Sequence, residues 1–183
     1  MERIKLSIPG ESSYDIVLGQ GILPFLADEL DQFDRSTSLM VISDVEVAKR
    51  YLPTLKNALD KAGFQVSVVK VPSGEQAKSL QCAAEVWHAM ADCQLSRDSV
   101  VLALGGGVVG DLAGFCASTF MRGLRVIQIP TTLLAMVDSS VGGKTAINLD
   151  LGKNLVGSFW QPSLVYGDIS LLQSLSQREW SCG

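Results

Sequence analysis

A chain of 183 residues is long enough to bury one good-sized core, and at 47% apolar it is not disordered throughout. Its net charge is −4 with the basic residues scattered, which leaves no nucleic-acid footprint. No stretch is apolar over the ~18 residues that a membrane span needs, so neither a nucleic-acid nor a membrane partner is expected.

In chain order, Arg3–Ile8 and Tyr14–Leu18 alternate like two half-exposed strands around Pro9-Gly10, an edge hairpin. Ile22–Leu30 reads as a short helix and Ser38–Ser43 as a strand. Val45–Ala62 is helical: Ala48, Tyr51, Leu52, Leu55, Leu59 and Ala62 share a face, and Gly63 follows as a C-terminal cap. Phe64–Val71 is a strand. Lys78–Cys93 is a helix with Leu80, Ala83, Ala84, Trp87 and Ala91 inward. Val100–Leu104 is fully apolar, as in a parallel sheet covered on both faces, and Leu124–Ile129 is another strand. A helix over Val109–Phe120 stands between them. The rhythm predicts an α/β fold: an open, mostly parallel, Rossmann-like sheet with helices on both faces. Ligands on such sheets bind beyond the carboxyl ends of the strands. The residues that stand there are Asp44, Pro72–Gln76, Gly105–Asp111 and Pro130–Thr132.

The run Ser99–Asp111 carries a strand into Gly105-Gly106-Gly107, then Gly110 and Asp111. Glycines permit positive φ and close approach to a ligand, and the following helix start suits a pyrophosphate. Gly105, Gly107 and Gly110 satisfy G-x-G-x-x-G. Tight strand-to-helix packing explains them equally well. The acid expected about 20 residues on in a Rossmann unit is missing near Ile127–Pro130.

Thr131 and Thr132 either cap the next helix or grip a base or ribose. Asp44 either caps the helix from Val45 or accepts from ribose hydroxyls. Asp138 is a solvated helix end, or joins Lys144 and Asn154 around a hydroxylated substrate. Gly142-Gly143-Lys144-Thr145 looks like the tail of a P-loop, but position 138 is Asp138 rather than glycine and no strand precedes it. A lysine beside glycines still suits a phosphate, and Lys153-Asn154 repeats the arrangement. Pro72–Lys78 alone reads as an ordinary turn. The four cysteines, Cys82, Cys93, Cys116 and Cys182, lack CxxC spacing and read as thiols in a reducing compartment. His88, inside a helical pattern beside Trp87, reads as a helix residue rather than a ligand. No metal ligands are assigned. The N-terminal Met-Glu-Arg-Ile-Lys has no apolar signal core, so a cytoplasmic protein is expected.

Together Pro72–Ser79, Leu104–Phe115, Gln128–Asn148 and Leu151–Asn154 resemble the 3-dehydroquinate synthase family over essentially the whole chain. The Thr131–Asn148 stretch is the most specific. The resemblance implies NAD-dependent cyclisation of the sugar phosphate 3-deoxy-D-arabino-heptulosonate 7-phosphate to 3-dehydroquinate with loss of phosphate, in the shikimate pathway. It implies zinc or cobalt in the full-length enzyme and a homodimer. For cofactor contacts it implies Asp44; Ser73, Gly74, Glu75, Gln76, Ala77 and Lys78; Gly107, Val108, Val109, Gly110 and Asp111; and Thr131 and Thr132. Lys144, Lys153 and the stretch Leu171, Leu172, Gln173 and Ser174 complete that set. It implies substrate contacts for Asp138, Lys144 and Asn154, and a phosphate contact for Arg122, donated across a dimer. The family's metal ligands lie beyond Gly183, so the expected organisation is an NAD-binding domain over 1–175 and the start of a helical domain over 176–183. By itself the chain is then expected to be inactive. The alternatives are the nucleotide domain of a metal-dependent glycerol or polyol dehydrogenase, or a non-catalytic nucleotide-binding fragment.

Overall fold

The computed structural model describes residues 1–8 and 13–181. The Pro9-Gly10 turn and Cys182 lie outside them. Seven strands form one sheet: β1 (Glu2–Leu6), β2 (Tyr14–Gly19), β3 (Ser38–Asp44), β4 (Gln65–Val71), β5 (Val100–Gly105), β6 (Arg125–Pro130) and β9 (Leu164–Asp168). Their order is β1-β2-β9-β6-β5-β3-β4, and β7 (Lys144–Leu149) and β8 (Gly152–Phe159) form a separate two-stranded sheet. Only β1 runs antiparallel in the large sheet, at its edge against β2. The sheet is therefore mostly parallel with an N-terminal edge hairpin, as the sequence predicts.

The central strands are apolar throughout because both faces are covered. Leu39 and Val41 of β3 and Leu102 of β5 point to the side of helix α1 (Val45–Lys61) and the 3₁₀ segment Leu23–Leu30, meeting Leu55, Leu59, Leu26 and Leu30. Met40, Ile42, Val101 and Ala103 point to the other side, against α2 (Leu80–Asp92) and α3 (Gly107–Thr119). Each such Leu or Ile, fully withdrawn from water, stabilises the fold by roughly 1.5–3 kcal/mol before entropy is counted.

Four local expectations change. The inward face of α2 is Cys82, Ala83, Val86 and Met90, while Leu80 and Ala91 are exposed. Ser79 accepts from the amide of Cys82 at 3.2 Å and starts the helix at Leu80, and Val86 and Met90 are bulkier than the alanines chosen from periodicity. α3 begins two residues before Val109, at Gly107. β7 and β8 are absent from the predicted elements, since β8 is exposed along most of its length and shows no buried alternation. β9 is also absent. It is a five-residue strand with no crossover helix before it, yet it sits between β2 and β6 and is buried throughout.

Candidate functional site

β4 and β5 leave β3 on opposite sides, so the strand order reverses between β3 and β5. At such a reversal the loops beyond the carboxyl ends part and leave a crevice. A cavity of about 460 Å³ lies there, lined by the end of β3, the turn after β4, the glycine loop after β5 and the turn after β6.

Asp44 ends β3 in this cavity. Its Oδ1 accepts from the amides of Glu46 at 2.9 Å and Val47 at 3.1 Å, and from the Ser73 hydroxyl at 2.9 Å. The capping role is therefore real, and Oδ2 stays outside these bonds. Gly74 has φ +87, a left-handed conformation that favours glycine. Gly106 caps α3 with no side chain, and Gly107, Val108 and Val109 of its first turn line the cavity. First-turn amides have no partner within their helix, and they present donors and a positive dipole end to an anion.

Gly105, Gly106, Gly107 and Gly110 do not have positive φ. Close approach requires glycine there instead. A Cβ at Gly107 would stand 2.7 Å from Ser139 Oγ, and one at Gly105 would stand 2.6 Å from Val109 Cβ. Thr131 is buried, and Thr132 Oγ1 accepts from the amide of Ala135 at 3.2 Å, so it caps the following turn while both threonines line the cavity.

A second cavity, of about 490 Å³, lies between α3, the π-helical turn Ala135–Ser139 and the β7–β8 hairpin. It brings together Asp111, Asp138, Lys144 and Asn154. Gly142 and Gly143 have φ +88 and +68, which turns the chain so that Lys144 opens β7 with its side chain exposed. A strand follows this lysine, not the helix of a P-loop. Ser139 lines this second cavity, and its buried Oγ has no hydrogen-bond partner among the described residues. A Cβ at Gly107, which lines the first cavity, would meet that hydroxyl, so Ser139 of the second cavity stands beside the glycine loop of the first.

Burial raises the Asp111 carboxyl above the usual carboxylate range, against the opposing hydrogen bond and charge of Lys78. Glu75 is held below its usual value, first by the hydrogen bond from Asn148 and then by the charges of Lys153 and Lys78. Burial pushes the Cys116 thiol up to about 12, which leaves it protonated and unreactive.

Of the residues singled out in the sequence, Asp44, Ser73, Gly74, Gly107, Val108, Val109, Thr131, Thr132 and Ser174 share the first cavity. Asp111, Asp138, Lys144 and Asn154 share the second. Glu75, Gln76, Ala77, Lys78, Gly110, Arg122, Lys153, Leu171, Leu172 and Gln173 line neither. Glu75 bonds to Asn148, Gln76 to the Ser73 carbonyl, and Ala77, Leu171 and Leu172 are core. Gly110 packs on Gln128, whose amide donates to its carbonyl at 3.2 Å. Arg122 is exposed, with φ +68, in the turn before β6. Sequence reasoning missed Glu46, Arg50 and Tyr51, which line the first cavity from α1. The i, i+4 spacing of Glu46 and Arg50 just after Asp44 was the available signal. It also missed Ser139 and the hairpin residues Ser158 and Phe159.

The family model for the 3-dehydroquinate synthase N-terminal region matches residues 68–182. The chain is 45% identical over 183 residues to a 3-dehydroquinate synthase of Thermodesulfovibrio yellowstonii, covering all of this chain and 51% of that protein. It is 47% identical over 183 residues to a 3-dehydroquinate synthase of Vibrio atlanticus, covering 50% of it. The chain thus spans about half the length of the curated relatives it matches. Among solved structures it superimposes on a 2-deoxy-scyllo-inosose synthase complexed with carbaglucose-6-phosphate, NAD+ and Co2+. There the TM-score is 0.90 at 26% identity, over 99% of this chain and 49% of that one. A 2-epi-5-epi-valiolone synthase from Streptomyces hygroscopicus with NAD+ and Zn2+ bound gives 0.84 at 34% identity, over 95% and 48%. A glycerol dehydrogenase from Schizosaccharomyces pombe, at 20% identity and a TM-score of 0.73, shares the fold.

Proposed function

We propose that this chain, which belongs to the 3-dehydroquinate synthase family, is the NAD-binding half, over residues 1–175, of an enzyme that converts 3-deoxy-D-arabino-heptulosonate 7-phosphate to 3-dehydroquinate with loss of phosphate. The observation that carries this reading is the 460 Å³ cavity at the strand reversal, where a carboxylate, a glycine-started helix and two threonines meet. The donor set fits a dinucleotide. The unpaired first-turn amides of α3 suit its diphosphate, Asp44 Oδ2 is available to a ribose diol, and Thr131 and Thr132 line the same cavity. NAD supplies a hydride acceptor when bound. This chain's residues hold and orient it, while Asp138, Lys144 and Asn154 receive the substrate from the second cavity. Of Lys153 and the stretch Leu171–Ser174, only Ser174 lines the first cavity, while Lys153, Leu171, Leu172 and Gln173 stand outside it.

The metal seen with the related synthases finds no fit here. Among the described residues no group of three or more His, Cys, Asp or Glu side chains could hold one. No step through a metal is assigned to these residues. Residues 176–183 begin the part that would carry it. Titration calorimetry of the 183-residue chain with NAD tests the reading. Saturable one-to-one binding is expected, and heats indistinguishable from dilution would overturn it.

Lys144 is the phosphate-facing cation in this reading. Removing a cation that meets a dianion in a closed site costs on the order of 2–5 kcal/mol. In the enzyme that contains this half, Lys144→Ala is therefore expected to lower kcat/KM by at least ~10-fold while NAD affinity changes less. Near-normal steady-state kinetics would show a solvated surface lysine instead.

A homodimer belongs to the proposal too. Among the described residues β8 pairs only with β7 and leaves Leu155 and Phe159 exposed along a free edge, a template for pairing with a second copy. Arg122 would reach the partner's substrate phosphate. Sedimentation velocity reads this directly, and a monomer in the enzyme containing this half would sink it. No helix among the described residues is long and apolar enough to cross a membrane, and a cytoplasmic location is proposed.

A further inference from the structure

Lys78 is only 5% exposed, yet it lines neither cavity. Its ammonium donates to Asp111 Oδ2 and to Asn154 Oδ1, both at 2.5 Å. Its backbone carbonyl accepts from the amide of Asn148 at 2.7 Å. Asn148 in turn donates to Glu75 Oε1 at 2.8 Å and accepts from the amide of Asn154 at 2.9 Å. Asn154 holds φ +57, a left-handed backbone that needs such support. These bonds close a ring between residues 75–78 and the turn end of the β7–β8 hairpin, and Lys78 ties that ring to Asp111 at the start of α3.

Among the described residues that hairpin pairs with no other strand, and a two-stranded sheet is marginal by itself. Its open end has separate anchors. Ser158 Oγ donates to Ser118 Oγ at 2.7 Å, and Trp160 Nε1 donates to the Leu124 carbonyl at 2.9 Å. The turn end is tied down by the Lys78 ring.

We propose that Lys78 is a positioning residue: it clamps the turn end of the β7–β8 hairpin onto α3 and so sets Asp111 and Asn154 in the second cavity. Two of the three N–H donors of the ammonium go to these side chains, and the clamp acts on a bound nucleotide through the groups it sets. Only the affinity part of the test rests on the NAD reading. The charged groups that face Asp111 are Lys78, Glu75 and Asp138. Without Lys78 the Asp111 carboxylate stands uncompensated beside the anion site of α3. It repels a diphosphate when ionised and stops doing so when protonated.

Lys78→Met tests this by two measurements on the 183-residue chain. Hydrogen exchange of the amides over residues 147–155 is expected to quicken at least ~10-fold, while those at Thr145 and Ser158 keep their protection. NAD titration at a low and a high pH is expected to show an affinity deficit that grows with pH, as Asp111 loses its proton. Unchanged exchange over 147–155, with a deficit equal at both pH values, would overturn the clamp and make Lys78 a direct nucleotide contact. If Lys78→Met does not fold, Asn154→Ala keeps both charges and breaks the ring. It should loosen the same turn end, and unchanged exchange there would again overturn the proposal. If the unaltered chain binds no NAD, the dinucleotide reading falls, and the exchange measurement alone decides the clamp.

Discussion

Gly107→Val is expected to weaken NAD binding by the 183-residue chain at least ~100-fold, or ~2.7 kcal/mol. The glycine opens α3 where first-turn amides line the cavity, and a valine there places three carbons where a diphosphate must approach. The same side chain also meets Ser139, because a Cβ at Gly107 stands 2.7 Å from its Oγ. That overpacking alone should lower stability by roughly 1–3 kcal/mol. The two effects separate in a second variant. Ser139→Gly added to Gly107→Val removes the internal clash but leaves the valine in the ligand's path. Stability should recover while binding stays lost, by chemical denaturation and calorimetry respectively. Binding that returns with stability would mean that the glycine serves packing only, and the diphosphate would have to sit elsewhere.

Asp168→Ala should remove about 3–5 kcal/mol of folding stability, a large part of what a domain of this size has. Asp168 ends β9 and is 1% exposed. Its carboxylate accepts from the amides of Gly21 and Leu23, each at 2.8 Å, and from the amide and hydroxyl of Ser170 at 2.9 and 2.6 Å. Nearby, Tyr166 donates to the Ile22 carbonyl at 2.8 Å, so two side chains of β9 fasten the loop after β2. Alanine leaves three amides with no acceptor, and Leu23 brings its own into a buried setting.

Burial is the largest single influence on this carboxyl and opposes its ionisation. The bonds from Ser170, Leu23 and Gly21 together outweigh it and hold the group below the usual value. With the folded value depressed, the stabilisation is complete above the unfolded carboxylate range, near pH 4, and is lost as pH falls through the folded value. Asp168→Asn should therefore unfold with a flatter acid limb than the parent in urea melts. An alanine variant within ~1 kcal/mol of the parent would show that water satisfies these amides as well as the carboxylate does.

Much of the sheet was legible because parallel strands covered on both faces must be apolar at every position. Val100–Leu104 and Leu39–Ile42 carry that mark without context. α1 was legible through its stripe, its Asp44 cap and Gly63, whose φ of +89 is the left-handed stop expected of it. The glycine loop was legible as a site, but its reason was not. Periodicity cannot tell a glycine needed for backbone angle from one needed because Ser139 or Val109 stands against it.

By itself the sequence determined the strand–helix alternation, the edge hairpin and the residue types at the strand ends, since each follows from local burial period and turn chemistry. Only the tertiary structure decided that β9 inserts between β2 and β6 and hangs on Asp168. Only it placed Asp44 and Thr131 in one cavity, with Asp111, Asp138, Lys144 and Asn154 in another. It also withdrew Lys78 into a ring that no spacing announces. Those outcomes depend on pairings between segments from 29 to 147 residues apart, Ser73 with Asp44 and Gly21 with Asp168 among them. The physical reason is that a short strand or a single buried lysine has no local preference strong enough to declare its partner. The partner is fixed only when the sheet has closed and every buried donor must find an acceptor.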